Sequence, residues 1–206
     1  YSYLTSIPNM TVMAPKNLWE LRAMMEFAMD YNAPLAIRYP RGTAYRGLRE
    51  YRQPIVYGKG ELLCEESDIA LLAVGSMVST AEHIREKLKE EGYSCSLANG
   101  RFVKPFDKEL TERLAKNHRL LVTLEENVLQ GGYGLAVTAY IHSHYPEVKV
   151  VNIALPDAYV EHGNVSLLRK GLGIDSDSII RRLKEEGWLS GIHREENGEE
   201  RQRPSE

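Results

Sequence analysis

Ile69-Ala70-Leu71-Leu72-Ala73-Val74-Gly75 is the stretch on which the fold turns. An unbroken apolar run stopped by a glycine reads as a strand buried on both faces; a strand with one wet face would alternate instead. Ser76 to Glu91 then carries Val78, Ala81, Ile84 and Leu88 on one face of an amphipathic helix, and Gly92 stands where its C-cap falls. A second strand follows at Tyr93–Ala98. Strand, helix and strand in this rhythm predict a mostly parallel sheet with helices on both faces.

The rhythm continues towards the C-terminus. Asp107 is placed to cap a helix through Ala115, with Leu110 and Leu114 inward. Arg119–Leu124 reads as a strand, Gly134–Tyr145 as a helix and Val148–Ala154 as a further strand. Val165–Leu168 and Asp177–Glu186 read as closing helices that end at Gly187-Trp188. Lys59–Leu63 is a leading strand, followed by a turn at Glu65-Glu66-Ser67-Asp68. Residues 57–189 therefore read as a complete three-layer α/β/α domain. A second, smaller pattern precedes it. Thr11-Val12-Met13-Ala14 is a strand, Asn17 a helix N-cap, and Leu18, Leu21, Met25 and Ala28 recur at helical spacing up to Asp30. Leu35–Arg38 is the next strand, which makes a parallel βαβ unit with a right-handed crossover in residues 1–42. Such a unit by itself exposes a sheet edge and an apolar face. Residues 43–56, with Arg46, Arg49 and Arg52 among Tyr45 and Tyr51, read as a solvated linker. The polar stretch 190–206 lacks apolar anchors and reads as a disordered tail.

Bulk properties narrow the function classes. A net charge of −3 argues against a nucleic-acid or anionic-membrane partner. No apolar run approaches the ~18 residues of a membrane span, and no signal peptide is legible. Cys64 and Cys95 lack metal-type spacing and fit a reduced, cytosolic protein. The chain starts at Tyr1 in mid-pattern, as a fragment of a longer protein would.

Four stretches could carry chemistry. Arg38-Tyr39-Pro40-Arg41-Gly42 leaves the carboxyl end of a parallel strand, the edge where α/β sheets bind ligands. A guanidinium held there between Pro40 and Gly42 suits a phosphate or carboxylate. The alternative is a surface Arg41 and an Arg38 ion pair at the sheet edge. Arg101-Phe102-Val103-Lys104-Pro105-Phe106-Asp107 reads as a strand-to-helix loop whose two cations pair with carboxylates across a domain interface, or meet an anion. Glu125-Glu126-Asn127 ends a strand before Gly131-Gly132-Tyr133-Gly134. That turn matches neither a Walker A motif nor a dinucleotide fingerprint, so a tight turn with an acid pair is expected rather than a phosphate cradle. His162, in Leu155-Pro156-Asp157-Ala158-Tyr159-Val160-Glu161-His162-Gly163, reads as a loop histidine. His142 and His144 lie roughly 200° apart on a helix and share no ligand face. His83, His118 and His193 read as surface residues.

Taken in order, these residues carry a resemblance. Ser2-Tyr3-Leu4, Ile7-Pro8-Asn9-Met10, Met13-Ala14-Pro15 and Arg38-Tyr39-Pro40-Arg41-Gly42 resemble the end of the pyrimidine-binding domain of the 1-deoxy-D-xylulose-5-phosphate synthase family. Arg101-Phe102-Val103-Lys104-Pro105 with Asp107, Glu125-Glu126-Asn127 with Gly131-Gly132, and Leu155-Pro156-Asp157 with His162-Gly163 resemble its transketolase-type C-terminal domain. The resemblance runs from Tyr1 to about Trp188. It implies a cytoplasmic, homodimeric transferase that condenses pyruvate with D-glyceraldehyde 3-phosphate and releases CO₂, using thiamine diphosphate and Mg²⁺. The product feeds isoprenoid, thiamine and pyridoxal phosphate synthesis. Arg41 would contact the phosphate of the aldehyde, with Arg38 and Tyr39 in support. The family's diphosphate- and metal-binding domain, and its cofactor-activating glutamate, have no counterpart in these residues. The chain alone is therefore expected to bind no cofactor and to be inactive. A non-catalytic dimerisation module, or the C-terminal half of a split transketolase-like enzyme, are the other readings.

Overall fold

The computed structural model describes residues 1–192. Two sheets lie side by side. The larger contains β3 (Glu61–Cys64), β4 (Asp68–Ala73), β5 (Cys95–Asn99), β7 (His118–Val128) and β8 (Lys149–Leu155), in the order β3-β5-β4-β7-β8. Only β3 runs antiparallel to its neighbour. The central strand β4 bears out the reading of its apolar run. Ile69, Leu71 and Ala73 enter one core, while Ala70, Leu72 and Val74 enter the other, and all six are fully buried. Helices α3 (Met77–Glu90) and α7 (Ser176–Glu185) close the first core. Helices α4 (Lys108–Asn117) and α5 (Tyr133–His144) close the second. The expected three-layer α/β/α arrangement is present.

The smaller sheet contains β1 (Thr11–Met13), β2 (Leu35–Ile37) and β6 (Phe102–Lys104), in the order β2-β1-β6. Strand β1 (Thr11–Met13), helix α2 (Leu18–Asp30) and strand β2 (Leu35–Ile37) form the parallel βαβ unit, with Thr11 opposite Leu35 and Met13 opposite Ile37. Asn17 caps α2 by accepting from the Glu20 amide at 3.0 Å, and Asp107 caps α4 by accepting from the Leu110 amide at 3.1 Å. Each such cap satisfies a donor that the first helical turn leaves free and contributes about 1 kcal/mol.

The structure corrects several expectations. Phe102–Lys104 is not a loop but strand β6, which pairs antiparallel with β1. It covers one edge of the βαβ unit, and among the described residues the β2 edge stays open. The unit does keep an apolar outer face, with Met25 54% and Met29 85% exposed. Residues 43–56 are not a solvated tether. Leu48 is buried in the main core, and Tyr45 and Tyr51 pack against that core and hold the segment down. His118 is buried, with its ring nitrogens 2.7 Å from the Leu114 carbonyl and 2.7 Å from Ser96 Oγ. Its position two residues before the apolar part of β7, next to the exposed Arg119, hid this. Short helices α1 (Ser2–Thr5) and α6 (Val165–Gly171) complete the element list. Ser190 and Gly191 continue a turn, and Ile192 packs against the core; the rest of the expected tail, with His193, lies outside the described residues. Among those residues no helix is long and apolar enough to cross a membrane, and Cys64 and Cys95 are free thiols.

Candidate functional site

The carboxyl ends of the two sheets meet where β2 leaves its sheet. The Arg38 amide donates to the Met13 carbonyl at 2.8 Å, which keeps Arg38 in register after the last strand residue. Its side chain turns to the larger sheet, where Nη2 donates to Glu126 Oε2 at 3.1 Å and the guanidinium lies 5.7 Å from the Tyr1 ring centroid. From Tyr39 to Thr43 the backbone is exposed, and Gly42 takes a φ of +119° that residues with a Cβ avoid. Arg41 sits in the middle of this loop, exposed and without a side-chain partner among the described residues. Tyr39 is 58% exposed. The stretch thus shows the alternative arrangement, with Arg38 in an ion pair at the sheet edge and Arg41 on the surface.

The two acids at the end of β7 divide their work. Glu126 accepts from Arg38, from Ser76 Oγ at 2.9 Å, and from Arg169 Nε and Nη2 at 3.0 and 2.8 Å. Burial pushes its carboxyl up, but Arg169, Ser76 and Arg38 outweigh that and hold it below the usual carboxylate range. Glu125 is buried beneath the N-terminus of α5. It accepts from the Tyr133 amide at 2.9 Å and the Gly134 amide at 2.8 Å. Burial raises its pKa to about 7, against the pull of those donors. The glycine turn exists to admit this carboxylate: a Cβ on Gly132 would lie 2.5 and 2.6 Å from its oxygens. The helix N-terminus is therefore closed by the chain's own acid.

The cation pair of the Arg101–Asp107 stretch is split. Arg101 meets carboxylates between the two units, with Nε 2.8 Å from Glu20 Oε1 and Nη2 2.9 Å from Glu61 Oε2. Lys16 completes the cluster at 2.9 Å from Glu20 and 2.6 Å from Glu61, and Asn99 donates to both Glu20 oxygens. Every ion-pair side chain here is at most 3% exposed. Lys104 instead donates to the Thr5 and Ile7 carbonyls at 2.8 and 2.7 Å, anchoring the segment after α1. His162 lies on an exposed loop. Sequence reading missed Arg169, Ser76, Lys16, Glu20 and Glu61. The Lys16–Glu20 pair at i,i+4 was a legible hint; the others are joined only by tertiary contact.

Residues 58–179, more than half of the chain, match the transketolase C-terminal domain. A 1-deoxy-D-xylulose-5-phosphate synthase of Lachnoclostridium phytofermentans is 47% identical over 183 residues, covering 88% of this chain and 29% of that protein. One of Heliobacterium modesticaldum is 40% identical over 185 residues, covering 89% and 29%. The chain thus spans about three-tenths of the length of these relatives. A split-gene transketolase, described as an inactive beta4 tetramer, superposes with a TM-score of 0.81 at 26% identity, over 89% of this chain and 59% of that one. A transketolase of Campylobacter jejuni shares the fold, with a TM-score of 0.65 at 19% identity over 89% and 27%. The chain belongs to the transketolase C-terminal domain family and is homologous to the C-terminal portion of 1-deoxy-D-xylulose-5-phosphate synthase.

Proposed function

We propose that this chain is the C-terminal part of a thiamine-diphosphate-dependent synthase that condenses pyruvate with D-glyceraldehyde 3-phosphate, releasing CO₂ and forming 1-deoxy-D-xylulose 5-phosphate. Residues 1–42 belong to the end of its pyrimidine-binding domain, 43–56 connect, and 57–189 are the transketolase-type domain. Arg41 binds the aldehyde's phosphate, with Arg38 and Tyr39 supporting its loop. The full protein acts as a cytoplasmic homodimer. The observation that carries this reading is the 47% identity over 88% of the chain. The exposed guanidinium at a strand's carboxyl end, without a partner among the described residues, agrees with it.

The residues described here do not fit the cofactor or its metal. Among them no three His, Cys, Asp or Glu side chains cluster as a metal site, and the amides at the start of α5 are held by Glu125. We assign thiamine diphosphate and Mg²⁺ to the part of the relatives that this chain does not span. What this chain's own residues supply is substrate binding: a planar, permanently charged fork that orients a phosphate while the aldehyde carbon reacts elsewhere.

Arg41→Ala in the full-length protein tests the assignment. A lost charge-assisted hydrogen bond costs on the order of 1.5–3 kcal/mol, roughly a 10- to 150-fold drop in kcat/KM for glyceraldehyde 3-phosphate. Cofactor affinity and assembly should not change. Unchanged kcat/KM would remove Arg41 from the site. The fit to a split-gene transketolase chain supports a second reading, an assembly module or separate C-terminal subunit. Under it Arg41→Ala changes assembly and leaves turnover of the assembled enzyme intact.

A further inference from the structure

We propose that Glu126 is a positioning residue for Arg41, and that the C-terminal domain holds the phosphate-binding loop from both of its ends. The proposal rests on the reading of Arg41 as the phosphate contact. Arg38 is the last residue of the loop's incoming arm that the structure ties down, through its amide to Met13 and its side chain to Glu126. Among the described residues the next one tied is Tyr45, whose carbonyl accepts from the Leu18 amide at 3.1 Å and whose hydroxyl donates to Glu82 Oε2 at 2.6 Å. Glu126 is on β7 and Glu82 on α3, both in the larger unit. The loop is thus slung between two carboxylates of the transketolase-type domain, with Arg41 midway and exposed.

Glu126 is built for this task. Its two oxygens take four donors, two from Arg169, one from Arg38 and one from Ser76, which fills the acceptor capacity of a carboxylate. Those donors come from α6, from the end of β2 and from the start of α3. The carboxylate therefore has no other orientation to adopt, and Arg38 inherits a fixed place. Pro40 fixes one backbone angle between Arg38 and Arg41, so an error at the loop's root is carried to the guanidinium at its tip. A small misplacement of a binding group is enough to lose much of its effect on the reaction.

The test uses the full-length enzyme and two aldehyde acceptors, glyceraldehyde 3-phosphate and D-glyceraldehyde, which lacks the phosphate. Glu126→Gln should raise KM for the phosphorylated aldehyde by on the order of tenfold and leave KM for D-glyceraldehyde and pyruvate unchanged. Added to Arg41→Ala it should cause no further loss, because it acts through Arg41. Arg38→Lys, which keeps the charge but loses the fork, should give the same selective rise and serves where Glu126→Gln does not fold. Equal losses with both acceptors, or additive losses in the double variant, overturn the proposal. If Arg41→Ala is phosphate-selective and neither Glu126→Gln nor Arg38→Lys is, the proposal fails while the reading of Arg41 stands. If Arg41→Ala is itself not phosphate-selective, that reading fails and takes the proposal with it.

Discussion

Arg101→Met probes the joint between the two units. The arginine lies in a four-member ionic cluster of two cations and two carboxylates whose side chains are at most 3% exposed. Methionine keeps most of the volume and the apolar stem. It leaves Glu20 and Glu61 buried with Lys16 as their one cation, a net charge of −1 out of water. It also strands the Pro54 and Gln53 carbonyls that the guanidinium now serves at 3.1 and 2.9 Å. Arg101 has a left-handed backbone, with φ of 55°, but methionine pays the same conformational cost, so that strain cancels in the comparison. Breaking a buried ion pair by removing one partner costs about 3–5 kcal/mol, a large share of a total stability of about 5–15 kcal/mol. For a chain of this size that lowers Tm by about 6–20 °C.

The sign of the pH dependence provides a second check. Burial pushes the Glu20 carboxyl up, but Lys16 and Arg101 outweigh it and hold it below the usual range. A depressed carboxylate contributes stability that is present above the unfolded value near 4.5 and is lost as pH falls through the folded one. Removing Arg101 takes away part of that contribution. The gap between wild type and variant should therefore be widest near pH 7 and shrink below about pH 4.5. Urea denaturation followed by circular dichroism measures it. A gap under about 1 kcal/mol at pH 7, or one that does not change with pH, would refute the buried-charge reasoning. Glu20→Gln added to Arg101→Met should cost less than the sum of the two, since it removes the uncompensated charge.

Two further predictions concern the turn before α5. Glu125 has a folded pKa of about 7 against 4.5 unfolded. The folded state therefore binds more protons between those values, and this group's contribution falls as pH rises from about 4.5 to 7 and is level above. Glu125→Gln should flatten that slope, changing the stability difference from wild type by up to about 3 kcal/mol across the window; parallel curves for the two proteins would contradict the assignment. Gly132→Ala should lose about 1–3 kcal/mol, because its Cβ would also lie 2.7 Å from the Val128 carbonyl, which cannot move without disturbing the end of β7. Thermal melts that superpose would show that the turn has room to spare.

Local pattern was a good guide where burial is continuous and neighbours in sequence are neighbours in space. The apolar run 69–74, the helix faces of α3 and α4, the caps at Asn17 and Asp107 and the βαβ unit all follow from side-chain period and from which residues can satisfy a free amide. The same reading placed Arg41 on an exposed loop at a strand end, and the ordered motifs identified the family. Tertiary structure decided the rest. Strand β6 is three residues long and has no period to detect; it exists because β1 offers it an unpaired edge. Charged residues look alike in sequence whether they are solvated or buried. Glu20 became a core residue only because Asn99 and Arg101, 79 and 81 positions away, arrive beside it. The adjacent Glu125 and Glu126 point to opposite sides of β7, so one closes a helix and the other receives two arginines. Sequence by itself determined which segments form elements and which family they build, because those depend on short-range periodicity and apolar burial. Which polar groups meet, and hence how Arg38 and the Arg41 loop are held, depends on contacts between distant segments and was settled only by the packed fold.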